Sequence, residues 1–169
     1  MLNQLTQKTL DSIRILAQQL RPSVLDDLGL FSALRWLAED SRERLQLPVK
    51  VQLEDIEDSI STQQLGALYE TTLFRIAQES LTNAARYAHP EHVWLSLTQH
   101  QQSICLQIRD DGTGFDPTQK YTGLGIVGMR ERASLLEGSL TIISQQGQGT
   151  IVEVVLPLST SHLKDSLHA

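Results

Sequence analysis

The 169-residue chain has a single cysteine, only eight aromatic side chains and no long apolar run. One cysteine excludes an internal disulfide, and the position of Cys105 in an alternating apolar segment favours a small buried residue over a reactive thiol. No stretch is long enough to span a bilayer, and the first residues lack the basic and apolar segments of a signal peptide. We therefore expect a globular protein of one domain with a helical extension.

Basic residues are also in the minority. The 14 Lys and Arg residues are outnumbered by 20 Asp and Glu residues, which gives a formal net charge of −6. This balance disfavours broad nucleic-acid binding, so we expect no nucleic acid among the partners. A phosphate group bound by such a chain would depend on local donors, helix ends and a metal ion.

Apolar periodicity divides the chain into helices and strands. Spacings of three and four predict amphipathic helices at 3–20, from 30 to about 45, from about 62 to 88, and from 126 to about 136. Alternating segments predict strands at 49–53, 93–97, 104–108, 140–143 and 151–156, the last four as two hairpins. The pattern leaves open whether the first helix packs on its own domain or forms half of an intermolecular bundle.

Three glycine clusters indicate where a ligand binds. The strand at 104–108 runs into two carboxylates and two glycines at 110–114. Carboxylates at a strand end can fix a ligand, and glycines let the backbone approach it closely. The clusters at 123–128 and 147–149 follow. The former also fits the dinucleotide fingerprint, but a polar loop precedes it instead of a buried strand, which disfavours a Rossmann site.

One face of the long helix predicted from 62 to 88 carries a stripe of polar residues. Glu79 and Asn83 are four apart and share a face, and Arg86 and Tyr87 follow on the same side. Alone, these residues are most simply a solvated face. A carboxylate with an amide oxygen can also hold Mg²⁺, and an arginine can meet phosphate oxygens. Those roles require a bound nucleoside triphosphate.

Together these motifs resemble the ATP-binding boxes of the histidine-kinase, gyrase and heat-shock-chaperone superfamily, which has the Bergerat fold. The N box corresponds to 79–88, the first glycine box to 110–115, the second to 123–125 and the last to 147–150. The runs 128–132 and 20–30 narrow the resemblance to the catalytic domain of a sensor histidine kinase of the nitrate/nitrite-sensor type. It implies an α/β two-layer sandwich, a mixed sheet covered by helices on one face, preceded by an N-terminal helical segment.

The resemblance also implies cofactors, ATP and Mg²⁺, and roles for single residues. Asp110 accepts a hydrogen bond from the adenine amino group, and Thr150 lies near the same ring. Asn83 binds the metal, with Glu79 as a second metal carboxylate or as the catalytic, water-orienting base. The remaining ATP-binding positions are Arg86, Tyr87, Gly112, Gly114, Gly123, Leu124 and Gly125.

The domain division follows the same resemblance. It gives part of the second dimerisation helix at 1–21, a linker and the first catalytic-domain helix at 22–47, the ATP-binding catalytic domain at 48–158, with a mobile lid at 115–122, and a flexible tail at 159–169. Such a protein lies in the cytoplasm as part of a sensor that can be membrane-anchored.

One departure concerns the phosphoacceptor. The family phosphorylates a histidine on the first dimerisation helix, and none of the five histidines lies in that position. We therefore expect a catalytic fragment that does not phosphorylate itself. Its partners are the acceptor helix of the kinase, indirectly a response regulator, and a second copy bound weakly through the first helix. The alternatives are a serine kinase of the anti-sigma-factor type and a nucleotide-binding dimerisation module without turnover.

Overall fold

The computed structural model describes residues 21–53, 56, 65–117 and 123–158. In these residues the helices are α1 (Ser23–Leu45), α2 (Ala67–Asn83) and α3 (Leu124–Leu135), and a π-helical turn, Ala84–Ala88, continues α2. The strands are β1 (Val49–Gln52), β2 (Val93–His100), β3 (Ser103–Asp110), β4 (Ser139–Ser144) and β5 (Thr150–Pro157).

The five strands form one mixed sheet in the order β1-β2-β3-β5-β4. β1 runs parallel to β2, and every other pair is antiparallel. The two predicted hairpins, β2 with β3 and β4 with β5, are confirmed. Because β5 inserts between β3 and β4, the last hairpin is placed directly beside the strand that leads into the first glycine cluster.

The core lies on one face of the sheet. Along β3, Ile104, Leu106 and Ile108 are buried and face the helices, whereas Cys105 on the other face is half-buried. The three buried residues of β3 form one cluster with the apolar faces of all three helices. Full burial of one such side chain stabilises the fold by about 1.5–3 kcal/mol. The two-layer sandwich with helices on one face is therefore confirmed.

Helix α1 begins earlier than its apolar pattern predicted. We expected a helix from residue 30, because Pro22 interrupts the pattern, but the helix begins at Ser23 and kinks at Gly29. Gly29 has φ 72° and ψ 171°. Glycine adopts this conformation without a steric clash because it has no side chain. The turn before the kink is retained because Leu25 is buried in the core.

Helix α2 begins later than predicted. Residues 62–64 lie outside the described residues, and Leu65 is buried without being helical. Gly66, with φ −59° and ψ 153°, is still extended and immediately precedes the helix. The expected start was wrong at Leu65 because a buried loop residue can continue the apolar spacing of a helix, and periodicity alone does not separate the two.

The remaining boundaries differ from the predictions by a few residues. β2 and β3 are longer than expected, and α3 starts at Leu124 instead of 126. The predicted first helix at 3–20, the tail at 159–169 and most of the lid lie outside the described residues. In the part of the chain that the structure describes, no helix is long and apolar enough to cross a membrane.

Candidate functional site

The register of β3 and β5 brings the first and last glycine boxes together. Asp110, the last residue of β3, pairs with Thr150, the first residue of β5. Its carboxylate is on the helix-covered face, 7% exposed, and accepts a hydrogen bond of 2.9 Å from the backbone N–H of Gly112. Gly149 has φ 78°, and a Cβ there would overlap the Asp110 carbonyl. This glycine permits the close approach of the two boxes.

Burial is the largest influence on the pKa of the Asp110 carboxyl group. It raises the pKa of the carboxyl group, and the negative charge of Asp111 raises it further. Hydrogen bonds from the backbone N–H groups of Gly112 and Thr150 act in the opposite direction, but the net pKa is above the ordinary aspartate value. A buried carboxylate with few donors around it has unused lone pairs, and a donor on a ligand can satisfy them.

The adjacent Asp111 has a different environment. It accepts hydrogen bonds from the backbone N–H of His92, at 2.8 Å, and lies 3.1 Å from the Nδ1 of the same ring. Burial raises the pKa of Asp111, but the hydrogen bonds from His92 and from the backbone of Glu91 outweigh it and lower the pKa. Asp111 therefore ties the start of β2 to the glycine loop. The sequence analysis gave His92 no such role.

Ser144 at the end of β4 connects the two glycine loops. Its Oγ accepts a hydrogen bond of 2.9 Å from the Phe115 N–H and donates one of 3.0 Å to the Gly149 carbonyl. It also lies 2.9 Å from the hydroxyl of Thr150. Since the serine proton goes to Gly149, the Thr150 hydroxyl is the donor in that pair. The sequence analysis missed Ser144, although it is a polar residue at an inward position of β4.

The first glycine loop also contacts the turn between β4 and β5. Gly114 has φ 60°, and a Cβ there would overlap the carbonyl of Gln145. The N–H of Gly147 donates a hydrogen bond of 2.6 Å to the carbonyl of Thr113. The loop that follows β3 is thereby held against the last hairpin before the chain continues toward the predicted lid.

The π-helical turn that follows α2 contacts the same loop from the other side. The N–H of Thr113 donates a hydrogen bond of 2.9 Å to the carbonyl of Ala88, and its hydroxyl donates one of 3.2 Å to the carbonyl of Tyr87. A Cβ at Gly112 would overlap the Ala88 carbonyl, so the contact requires glycine. The N box and the first glycine box are therefore adjacent in space.

Glu79 joins α2 to the second glycine cluster. Its carboxylate lies against Gly125 in the first turn of α3, where a Cβ would overlap it. Next to it, the hydroxyl of Ser80 donates to the buried sulfur of Met129 at 3.6 Å, which packs the two helices together. A carboxylate at a helix N-terminus is stabilised by the helix dipole. A phosphate group would be stabilised at the same helix end.

The metal-binding potential of this region is limited. Glu79 and Asn83 are both half-buried on α2 and one turn apart. No group of three or more His, Cys, Asp or Glu side chains in the described residues could hold a metal ion. Mg²⁺ is usually held by one or two carboxylates together with substrate phosphates and water. The two side chains therefore fit Mg²⁺ when a nucleotide supplies the remaining oxygens.

The other predicted residues lie at the periphery. Arg86 and Tyr87 are exposed, Tyr87 by 70%, on the π-helical turn. The α-helical repeat that was expected to align them with Glu79 and Asn83 ends at Asn83. Leu124 is 68% exposed, and the Cβ position of Gly123 is open.

Comparison with known proteins identifies the family to which this chain belongs. The sequence profile of the histidine kinase-, DNA gyrase B- and HSP90-like ATPases matches residues 69–160, more than half of the chain. The chain belongs to this family. The matched region contains α3 and all but the first two residues of α2, and the family resemblance inferred from the four boxes is confirmed.

Two curated relatives are histidine kinases. The chain is 37% identical over 156 residues to the oxygen sensor histidine kinase NreB of Staphylococcus carnosus, covering 90% of this chain and 43% of that protein. It is 36% identical over 143 residues to the signal transduction histidine-protein kinase/phosphatase DegS of Bacillus subtilis, covering 82% of this chain and 37% of that protein. The chain therefore spans less than half the length of these relatives.

Solved structures of histidine kinases share the fold. The histidine kinase domain of the blue-light activated kinase from Erythrobacter litoralis superposes with a TM-score of 0.61 at 21% identity, covering 77% of this chain and 63% of that one. The histidine kinase AdeS of Acinetobacter baumannii gives a TM-score of 0.61 at 17% identity, with 92% and 85% covered. At these identities the likeness shows the fold alone.

Proposed function

We propose that this chain binds Mg²⁺-ATP and supplies its γ-phosphoryl group to a histidine of a two-component sensor kinase. The observation that carries the proposal is the buried carboxylate of Asp110, held between two glycine loops with acceptor capacity to spare. A carboxylate with unused lone pairs can accept a hydrogen bond from the exocyclic amino group of adenine. Family membership and the kinase relatives support ATP as the ligand.

The base-binding side of the site is built from the loops around β3 and β5. Asp110 accepts the hydrogen bond of the adenine amino group, and Thr150 lies beside the same ring. Gly112 and Gly114 let the loop after β3 pack against the carbonyls of Ala88 and Gln145, where a side chain would not fit. Ser144 keeps the two loops at a fixed separation through its three hydrogen-bonding partners.

The phosphate side lies between α2 and α3. The first turn of α3 at 123–125 offers backbone donors and the positive end of a helix dipole. Asn83 and Glu79 hold Mg²⁺, which neutralises charge on the phosphates when bound. Glu79 is alternatively the catalytic, water-orienting base, and its carboxylate lies against Gly125 in the first turn of α3. Arg86 and Tyr87 are exposed and free to turn toward phosphate or ribose. Phosphoryl transfer depends mainly on such positioning and charge stabilisation.

The acceptor comes from a partner helix of the kinase. None of the three described helices contains a histidine. His92 is engaged with Asp111 through its backbone N–H and its ring Nδ1. Residues 1–21 supply part of a dimerisation bundle, 22–47 connect it to the catalytic domain at 48–158, and weak homodimers form through the first segment. The response regulator is an indirect partner, and the reaction takes place in the cytoplasm.

Transfer of labelled phosphate tests the proposal. The chain is incubated with γ-labelled ATP, Mg²⁺ and a histidine-bearing dimerisation fragment from the Staphylococcus carnosus relative. We expect acid-labile, base-stable phosphate on the fragment and none on this chain. Acid-stable phosphate on a serine would instead support the serine kinase. Tight ATP binding with no transfer to any acceptor would support a nucleotide-binding module without turnover.

A further inference from the structure

Arg21 connects three parts of the chain through one side chain. Its Nε donates to the Asp26 carboxylate at 2.6 Å, and its Nη2 donates to the Glu70 carboxylate at 2.6 Å. Its Nη1 donates to the Ala67 carbonyl at 2.9 Å and to the Thr71 hydroxyl at 3.3 Å. Asp26 is in the first turn of α1, and the other three residues begin α2. The guanidinium thus joins the start of both helices.

The ion pair with Glu70 is the strongest of these contacts. Glu70 is 6% exposed, whereas the side chain of Asp26 is 62% exposed and that pair is screened by water. A buried carboxylate that loses its cation is strongly destabilised, so Glu70 holds the guanidinium in place. The planar fork of arginine can serve these acceptors at once, which the single ammonium of lysine cannot do.

Arg21 lies at the junction between the N-terminal segment and the ATP-binding domain. Arg21 is the last residue of the segment expected to form part of a dimerisation helix, and it precedes Pro22, whose φ is −60°. At 1.5 Å per residue, Asn83 at the far end of α2 lies about 20 Å from Glu70. The same rigid helix therefore holds the Arg21 cluster at one end and the proposed metal ligands at the other.

We propose that Arg21 is a positioning residue that fixes the direction in which residues 1–20 join the ATP-binding domain. By holding that junction against α1 and α2, it sets the distance between the nucleotide and the acceptor helix. Nucleotide binding itself does not require it, since none of its contacts reaches the glycine loops. The consequence for phosphoryl transfer rests on the proposed function, whereas the anchoring of the junction does not.

The anchoring is tested without nucleotide. A nitroxide label is attached to Leu20→Cys in a Cys105→Ser background, and its mobility is measured by electron paramagnetic resonance. We expect a restricted spectrum with Arg21 present and a mobile one with Arg21→Lys. The control is Arg42→Lys, because Arg42 on α1 also combines an ion pair, with Glu39, and a bond of 2.7 Å to the carbonyl of Val49. Equal label mobility in Arg21→Lys and wild type would overturn the anchor.

The functional consequence is tested with the acceptor fragment at saturating Mg²⁺-ATP. Arg21→Lys should slow transfer by at least about tenfold, since a misplacement of about 1 Å can cost 100-fold, while the Kd for ATP stays within about twofold. Arg42→Lys should change neither value. If Arg21→Lys does not fold, Glu70→Gln replaces it. A matching loss of ATP affinity, or transfer at the Arg42→Lys rate, would overturn the positioning role. Failure of the wild type to bind ATP would refute the proposed function and leave the label experiment to decide on the anchor.

Discussion

The carboxylate of Glu79 on α2 lies against Gly125 in the first turn of α3, at a place where no side chain fits between them. The two residues come from different motifs of the sequence and are 46 positions apart. Their contact sets the spacing between the proposed catalytic carboxylate and the helix end proposed to bind phosphate. We therefore expect the proposed site to depend on the absence of a side chain at Gly125, beyond any need for backbone freedom.

Gly125→Ala tests this contact. The new methyl group would displace the Glu79 carboxylate, which is the end of a flexible side chain and can move without disturbing the fold. We expect phosphoryl transfer to fall by about 10- to 100-fold, in the range produced by a misplacement near 1 Å. Stability should stay equal or rise by roughly 0.5–1 kcal/mol, because alanine favours a helix interior over glycine. Transfer kinetics and urea unfolding measure the two effects.

Gly66→Ala is the matched control. A Cβ at Gly66, directly before α2, meets no atom, and its φ of −59° is open to any residue. The same change outside the proposed site should therefore leave transfer within a few-fold of the wild-type rate. If both alanine variants lost the same activity, the effect would not belong to the contact with Glu79.

Ser144→Ala should loosen both glycine loops. The substitution leaves the Phe115 N–H, the Gly149 carbonyl and the Thr150 hydroxyl without their common partner. Unsatisfied buried groups cost about 1–3 kcal/mol, so we expect a loss of stability of that size together with weaker ATP binding. Urea unfolding and calorimetry measure them. Ser139→Ala, on an exposed position of the same strand, is the control, and equal effects in both variants would contradict the role of Ser144.

Asp110 should make stability depend on pH in a predictable direction. Its folded-state pKa is raised above the ordinary value of 3.8, so between those two values the folded protein binds more protons than the unfolded chain. The contribution of Asp110 to stability is therefore highest below pH 3.8 and is lost as the pH rises through the raised pKa. Asp110→Asn has nothing to titrate there. Denaturant unfolding of both proteins across this window should show the wild type losing stability relative to the variant; a relative gain would contradict the burial argument.

Periodicity and motif spacing predicted much of the fold. Alternating apolar residues predicted the strands of both hairpins, because a strand with one buried face needs that pattern. A short polar turn indicated the first hairpin, and the glycines at 147 and 149 indicated the second. The start of α2 was placed wrongly because Leu65 is buried without being helical. The first turn of α1 was missed because Pro22 interrupts the apolar spacing while a single buried leucine suffices to hold the turn.

The connections between motifs could not be predicted from the sequence. Ser144 bonds to Phe115 across 29 positions, and Arg21 to Glu70 across 49. Such contacts depend on strand order and helix packing, which no local pattern encodes. The π-helical turn at the end of α2 likewise ended the α-helical spacing on which the grouping of Glu79, Asn83 and Tyr87 was based.

Asn83→Ala should weaken the binding of Mg²⁺-ATP more than that of metal-free ATP, because the amide oxygen of Asn83 is a proposed metal ligand. Calorimetric titrations with and without Mg²⁺ measure both affinities. Thr82→Ala is the control, since the Thr82 hydroxyl bonds only locally, to the Gln78 carbonyl at 2.8 Å. Equal losses for the two nucleotide forms would show that Asn83 contributes to the helix surface and not to the metal site.

The most direct test of ATP binding through Asp110 is a calorimetric titration of the wild type and of Asp110→Asn with ATP. The substitution keeps the size of the side chain and removes the negative charge of the group proposed to accept a hydrogen bond from the adenine amino group. Loss of a hydrogen bond to a charged group costs about 1.5–3 kcal/mol, so the Kd should rise by about 10- to 150-fold. Saturable binding by the wild type with this loss in the variant is the predicted result. Unchanged affinity in Asp110→Asn, or no binding by the wild type, would contradict it.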